Sequence, residues 1–281
     1  MSARTHEAYE PYEGTKLARL EADAAAILAR YPEHPQSGLL PLLHLVQSED
    51  GYVSPDGLAF CARTLGLTTA EVSAVATFYT QYKRHPNGTY TVGVCTNTLC
   101  AVMGGDAVFD ELSEHLGVGH DETTDDGAVT LERIECNAAC DYAPVMMVNW
   151  EFFDEQTPES ARDVVDRLRA GEAVAPTRGA SSVCTFKQMS RVLAGFPDGR
   201  ADEGVGAGDR TLAGLRLARE KGWRAPAPSS GDTAGSGQEA PVAPEPGDEQ
   251  SSVDTPTQPP SGGTADAGSG HETGRSASEE A

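Results

Sequence analysis

The chain has 281 residues and a formal net charge of −22, and its length allows one or two domains. The acidic balance argues against a nucleic-acid partner, because phosphate contacts need clustered Lys and Arg. With no apolar run long enough to cross a bilayer and no signal peptide, we expect a cytoplasmic protein without direct membrane insertion. In the cytosol, its six cysteines point to metal or redox chemistry and not to disulfide bonds.

Residues 14–84 show the apolar spacing of a small helical bundle. The pattern predicts a first helix over residues 14–31, which a proline ends. We expect Ser37 to cap a second helix. Ser54 followed by proline is typical of the start of a third helix. Thr68 with a glutamate three residues later predicts a capping box at the start of a fourth helix.

From residue 90 the pattern changes to the alternation of β-strands, and helical segments lie between the strands. One strand leads into each of two cysteine pairs. This order predicts a compact α/β sandwich over residues 85–172. In chain order we expect a strand at 90–94, a helix at 98–116, a polar loop at 117–127, strands at 129–134, 145–150 and 151–153, and a helix at 158–170.

The C-terminal third divides into an extension, residues 173–224, and an acidic tail, residues 225–281. The extension predicts short helices at 187–193 and 212–220 with a glycine-rich loop between them. It is too small for a core of its own, so we expect it to lie along the domain or along a partner. The tail has ten acidic residues, one arginine and no aromatic residue, which predicts a disordered, solvated spacer. We expect its removal to leave cofactor binding intact.

The four cysteines of the two pairs carry the most specific signal. Cys95 and Cys100 are spaced C-x4-C, and Cys136 and Cys140 are spaced C-x3-C. Thiolate ligands suit iron–sulfur clusters and zinc alike. Short C-x2-4-C knuckles are typical of structural zinc, whereas a C-x4-C pair can wrap a sulfide-bridged iron, as in plant-type ferredoxins. The spacing therefore favours a two-iron cluster and leaves zinc open.

The residues around these cysteines refine the hypothesis. Cys100 lies near the start of a predicted helix, where free N–H groups favour anions. Gly104 and Gly105 would allow close backbone packing. Glu135 and Asp141 adjoin ligand cysteines, and their charge would lower the reduction potential of a cluster if they do not simply face solvent.

Other features of the sequence exclude competing chemistry. Cys61 and Cys184 have no paired neighbour, and we interpret them as ordinary buried cysteines. The pairs are wider than the C-x-x-C of a dithiol catalyst. No G-x-G-x-x-G motif follows a strand and no P-loop is present, so we expect no NADH or FMN site on this chain.

Two stretches resemble a known family. They are ATFYTQYKRHPNGTYTVGVCTNTLC and TTDDGAVTLERIECNAACDYAP, and the likeness extends over residues 15–172. They resemble the two-iron subunit of respiratory NADH:quinone oxidoreductase, complex I. The resemblance implies an α+β chain in which an N-terminal helical bundle precedes a thioredoxin-like [2Fe–2S] ferredoxin domain, here with a disordered acidic tail. It implies one [2Fe–2S] cluster whose ligands are Cys95, Cys100, Cys136 and Cys140.

The resemblance also implies a place in a complex. The partners would be the flavoprotein subunit that holds FMN and NADH and other peripheral-arm subunits, at the inner face of the cell membrane. The chain departs from the family pattern at Leu99, where many members have proline, and at Ala138, where many have glycine. Both changes touch the ligand loops and spare the ligands, so they bear on cluster potential and loop dynamics rather than on cluster binding.

Such a chain would hold no complete active site of its own, because a two-iron cluster takes single electrons and a flavin must split the hydride of NADH. Two alternatives stay open on the sequence. In the first, the same module belongs to a different enzyme, such as an NAD-linked hydrogenase or formate dehydrogenase, or is a free ferredoxin. A zinc-stapled interaction module without a redox role would use the same four thiolates.

Overall fold

The computed structural model describes residues 12–225 of the chain. The predicted disordered tail, apart from Ala225, lies outside these described residues. The N-terminal part contains four helices: α1 (Gly14–Leu28), α2 (Leu39–Asp50), α3 (Pro55–Leu65) and α4 (Thr69–Phe78). The remainder follows as β1 (Tyr90–Cys95), α5 (Thr98–Val102), α6 (Gly105–Leu116), β2 (Glu122–Thr123), β3 (Val129–Ile134), β4 (Met146–Val148), β5 (Glu151–Phe153), α7 (Pro158–Arg169), α8 (Phe186–Leu193) and α9 (Ala213–Glu220).

Local capping sets two of the helix starts as predicted. The Ser54 side chain accepts a hydrogen bond from the Gly57 N–H at the start of α3. Thr68 and Glu71 form both bonds of the capping box at the start of α4. These bonds satisfy N–H groups that have no partner within the helix.

The predicted cap at Ser37 is wrong. Residues Pro35–Gly38 form a 3-10 turn, and α2 begins at Leu39 without a side-chain cap bond. The reason is packing against α1, because a Cβ at Gly38 would lie 2.7 Å from Cδ2 of Leu28. Helix α2 therefore begins only after Gly38, the residue that packs against α1.

A five-stranded mixed sheet has the order β2-β3-β1-β4-β5. Strands β1 and β3 run parallel, with Tyr90 opposite Val129 and Cys95 opposite Ile134. The other three strand pairs are antiparallel. Parallel strands end at the same edge of a sheet. The loop that follows Cys95 at the end of β1 and the loop that contains Cys136, after β3, therefore begin side by side.

Two predictions in this region need correction. The helix expected over residues 98–116 is two helices, and the chain turns between them at Gly104, whose φ is +111°. The break has a packing cause: a Cβ at Gly105 would lie 2.5 Å from the carbonyl oxygen of Cys95. In addition, the loop expected at 117–127 contains the short edge strand β2.

Two large hydrophobic cores lie in the described part of the chain, besides a small cluster around Cys95 and Cys100. One fills the helical bundle and takes in Ala194 from the end of α8. The other lies between the sheet and helices α6 and α7. Helix α8 packs against α2, where Gln47 Nε2 donates to Ser190 Oγ at 3.4 Å. The extension therefore lies along the helical bundle. The domain boundaries at residues 84 and 172 stay a prediction.

No helix between residues 12 and 225 is both long enough and apolar enough to span a membrane.

Candidate metal centre

The first cysteine pair is buried at the carboxyl end of β1. Cys95 is the last residue of that strand, and Cys100 is the third residue of the five-residue helix α5. Both side chains pack with Ala139 and Val145 in a small apolar cluster. Burial, and then the neighbouring Cys95, raise the pKa of the Cys100 thiol to about 11. The pair therefore lies in a dry environment at the base of the site.

The second pair lies at the surface, in the loop after β3. Cys136 and Cys140 are exposed, and their sulfur atoms are 3.8 Å apart. The pKa of Cys140 is raised, first by its contact with Cys136. The Ala138 N–H donates to Cys136 Sγ at 3.4 Å, and Ala138 has a left-handed φ of +55°. A backbone donor thus already points at one ligand sulfur.

The fold brings the two pairs together. Parallel pairing of β1 with β3 places both loops at one sheet edge, and Ala139 of the second loop packs with Cys95 and Cys100. Repulsion from Cys140 contributes to the raised pKa of Cys100, and repulsion from Cys95 contributes to the raised pKa of Cys140. All four cysteines therefore lie at the same edge of the sheet.

The donor set fits a two-iron cluster. The four sulfurs form two pairs, one buried and one exposed. A [2Fe–2S] cluster takes two cysteine thiolates on each iron, so two neighbouring pairs fit it.

Gly105 allows the start of α6 to pack against the backbone of the first cysteine pair. A Cβ at Gly105 would lie 2.5 Å from the Cys95 carbonyl oxygen and 2.9 Å from that of Cys100. The expected close packing at this position is present. Gly104 contributes in a different way, through its positive φ and not through a tight contact.

The two acidic neighbours of the ligands differ in their surroundings. Glu135 and Asp141 are both exposed. The Asp141 carboxylate also accepts a hydrogen bond from the Thr211 hydroxyl. Sequence reasoning missed this contact, because Thr211 lies in the extension, seventy residues along the chain.

The two remaining cysteines lie outside the site, and the prediction that they are buried holds for Cys61 alone. Cys61 is buried in the core of the bundle, and burial raises its pKa. Cys184 is half-buried, and Arg200 Nη2 donates to its sulfur at 2.8 Å.

Apolar side chains are exposed beside Cys100. Leu99, Val102 and Met103, on and just after α5, are exposed, and Val102 retains 79% of its accessible surface. Large apolar side chains next to one another at a surface are typical of protein contacts. We call these three residues the α5 patch.

Comparison with known proteins identifies the family. The family model of the thioredoxin-like [2Fe–2S] ferredoxins matches residues 24–169. An NADH-quinone oxidoreductase subunit of Mycobacterium tuberculosis is 69% identical over 211 residues, which are 75% of this chain and 83% of the relative. NADH-quinone oxidoreductase subunit 2 of Thermus thermophilus is 37% identical over 146 residues, which are 51% of this chain and 81% of the relative.

A solved thioredoxin-like [2Fe–2S] ferredoxin from Aquifex aeolicus aligns at 23% identity, over 32% of this chain and 92% of that chain, with a TM-score of 0.26. The family model covers more than half of the chain, and the resemblance seen in the cysteine motifs is confirmed. The chain belongs to the thioredoxin-like [2Fe–2S] ferredoxin family.

Proposed function

We propose that this chain is the electron-transfer subunit of an NADH:quinone oxidoreductase. Its ligands for one [2Fe–2S] cluster would be Cys95, Cys100, Cys136 and Cys140. The observation that carries the proposal is the meeting of two cysteine pairs at one edge of the parallel strands. The 69% identity to the Mycobacterium tuberculosis relative supports complex I over another NAD-linked enzyme.

The chain's own residues prepare the site for such a cluster. When bound, the cluster supplies one-electron transfer. Cys95 and Cys100 exclude water on one side, because both are buried against Val145. Ala138 directs its N–H at a ligand sulfur, which favours the thiolate. The exposed Cys136 and Cys140 place the redox site at the surface, within reach of a docked partner.

The partner that the chemistry requires is a flavoprotein subunit. NADH delivers a hydride, and a flavin must divide it into single electrons before an iron–sulfur site can accept them. We place the docking surface for this subunit, which would hold FMN and NADH, at the α5 patch. Other peripheral-arm subunits would complete the complex and would hold this chain at the inner face of the cell membrane.

Analysis of the purified full chain tests cluster binding. We expect two iron and two sulfide per chain and, after reduction, the electron paramagnetic resonance signal of a one-electron [2Fe–2S] centre. Cys95→Ala and Cys140→Ala, which remove a ligand atom altogether, should each lose the signal. Cys61→Ala and Cys184→Ala, which change cysteines outside the site, should keep it. A colourless protein that contains zinc and no iron would overturn the proposal in favour of the zinc-stapled module.

Copurification with the flavoprotein subunit tests the docking surface. Val102→Glu places a charge in the α5 patch and should abolish copurification while the cluster signal is retained. Leu215→Glu is the control, since Leu215, on α9, is 47% exposed and lies outside the patch. Equal recovery of the flavoprotein subunit with wild type and Val102→Glu would exclude the α5 patch as the contact.

A further inference from the structure

The glycine-rich part of the extension returns to the second ligand loop. Residues 204–211, which we call the clamp segment, contact the turn Cys140–Tyr142 that follows the fourth ligand. The family model ends at residue 169, so this segment lies outside the part of the chain that the family model describes. Nothing in the electron-transfer proposal accounts for it.

Three polar contacts join the clamp segment to the turn. Arg210 Nη1 donates to the Asp141 carbonyl oxygen at 3.1 Å. The Arg210 backbone N–H donates to Tyr142 Oη at 3.2 Å. The Thr211 hydroxyl donates to the Asp141 carboxylate. Both residues that follow Cys140 are thus held from the extension.

The Tyr142 ring also lies near two guanidinium groups. The Cζ atoms of Arg210 and Arg178 are 5.0 Å and 5.5 Å from the ring centroid, within cation–π range. Arg178 is itself fixed, because it forms a 3.1 Å ion pair with Asp154 in which both side chains are nearly buried. Its Nη1 donates to the Gly206 carbonyl oxygen at 3.3 Å and so ties the clamp segment to the domain.

Glycine allows close approach at two positions of the clamp segment. A Cβ at Gly208 would lie 2.1 Å from Tyr142 Oη and 2.9 Å from its Cζ. A Cβ at Gly204 would lie 2.2 Å from the Gly179 carbonyl oxygen. Gly206 differs, since a Cβ there would have no heavy atom within 4 Å. Gly204 and Gly208 therefore have a packing reason, and Gly206 has none.

We propose that the clamp segment is a positioning device for the second cysteine pair, with Arg210 and Thr211 as its positioning residues. The loop needs an external restraint, because Cys136 and Cys140 are exposed and Ala138 holds a left-handed conformation. Held from the extension, the turn after Cys140 keeps the Cys140 sulfur near Cys136. This inference rests on the proposed cluster ligands.

The clamp segment also brings a positive charge to the ligand loop. Reduction adds one negative charge to a cluster, and a nearby cation favours the reduced form. Arg210 contacts the carbonyl group directly after Cys140, although it also pairs with Glu155 at 2.7 Å. Loss of the guanidinium should therefore lower the midpoint potential, a readout that a purely structural role would not move.

The experiment compares cluster release from full-length variants when excess iron chelator is added, followed by the loss of visible absorbance. Gly208→Ala should release iron about tenfold faster than wild type, the size of effect typical of residues that orient metal ligands. Gly206→Ala is the matched control in the same segment and should release iron at the wild-type rate.

Arg210→Gln provides a second test that removes no buried side chain, since Arg210 is mostly exposed. We expect faster iron release and a lower midpoint potential in a redox titration. Arg210→Lys should restore the potential more fully than the release rate, because lysine keeps the charge and loses the planar contacts. Arg167→Gln, which removes an arginine paired on the surface of α7, is the control for charge alone.

The outcomes separate the two proposals. Wild-type release rates in both Gly208→Ala and Arg210→Gln, in chains that carry the cluster, would overturn the clamp and leave the electron-transfer function intact. A wild-type chain without iron and sulfide would instead overturn the proposed function, and the clamp as a cluster device with it.

Discussion

A buried ion pair joins the end of the helical bundle to the strand that leads to the second cysteine pair. Lys83 Nζ contacts Glu132 Oε1 and also donates to the Thr80 carbonyl oxygen at 3.0 Å. The two side chains are 6% and 12% exposed. Glu132 follows Leu131 on β3, and the alternation of the strand directs it away from the core shared with α6 and α7. Replacement of Lys83 by methionine tests how strongly this pair supports the fold.

The burial of the pair sets the expected magnitude. Removal of one partner leaves a buried charge without compensation, which costs about 3–5 kcal/mol of unfolding free energy. The exposed pair Arg162–Glu111 has a 2.9 Å contact, with side chains that are 47% and 32% exposed. Exposed pairs contribute only about 0.2–1 kcal/mol. We therefore expect Lys83→Met to cost several times more than Arg162→Met.

Urea unfolding of the full-length chain, followed by circular dichroism, measures these differences. All variants should be compared in one metal state, because bound cofactors break two-state behaviour. The double variant Lys83→Met/Glu132→Leu should recover most of the loss, since replacement of both charges by apolar groups is often neutral. A Lys83→Met variant within about 1 kcal/mol of wild type, in the range of exposed pairs, would refute the reasoning.

Three further changes test the site and its support. Burial lowers the pKa of His44 to about 4, so the unfolded chain takes up a proton at a higher pH than the folded chain does. The free energy of unfolding should be highest above pH 6.5 and fall by roughly 3 kcal/mol as the pH drops towards 4. The His44→Phe variant should lack this fall, and identical pH profiles for the two proteins would contradict the prediction. Gly105→Ala should cost about 1–3 kcal/mol in urea unfolding, because the Cβ meets backbone atoms of both buried ligands; Gly214→Ala, with open space around its Cβ, should cost nothing. Ala138→Gly should raise the free energy of unfolding by up to about 1.5 kcal/mol, because glycine avoids the left-handed penalty of roughly 1–2 kcal/mol while the greater entropy of its unfolded chain costs about 0.5–1 kcal/mol. A less stable variant in the same assay would contradict this prediction.

Sequence reasoning succeeded where the determining contacts are local. The cap at Ser54 and the capping box at Thr68 use atoms within three residues of each other, so the sequence pattern contains all of the partners. It failed at Ser37 and at the break near Gly104. There the determining atoms, Leu28 Cδ2 and the Cys95 carbonyl oxygen, belong to segments packed against the helix start.

The same distinction applies to the candidate site. Each cysteine pair is visible because its members are four or five residues apart, and the preceding strands predict that the pairs leave the sheet. The contact of Arg210 with Asp141 spans sixty-nine positions and has no periodicity to reveal it. The signal that was available is the glycine at 204 and 208, which is compatible with close approach but does not identify the neighbour.

The two departures from the family pattern acquire different physical meanings. Leu99 lies in the first ligand loop and is exposed in the α5 patch, the surface that we propose for the flavoprotein contact. Ala138 lies in the loop itself, at a φ of +55° that glycine would adopt more easily. Alanine narrows the unfolded ensemble of the loop while it strains the folded one.

A loop that accepts such strain requires support from its surroundings. The clamp segment restrains the turn after Cys140 from outside, through contacts that do not depend on the conformation of Ala138. If the clamp segment restrains the strained loop, Ala138→Gly should slow iron release more in the Arg210→Gln variant than in wild type. The reason is that relief of backbone strain matters most where the restraint is missing. Equal effects in the two backgrounds, measured with the same chelator assay, would show that the strain at Ala138 and the clamp act independently.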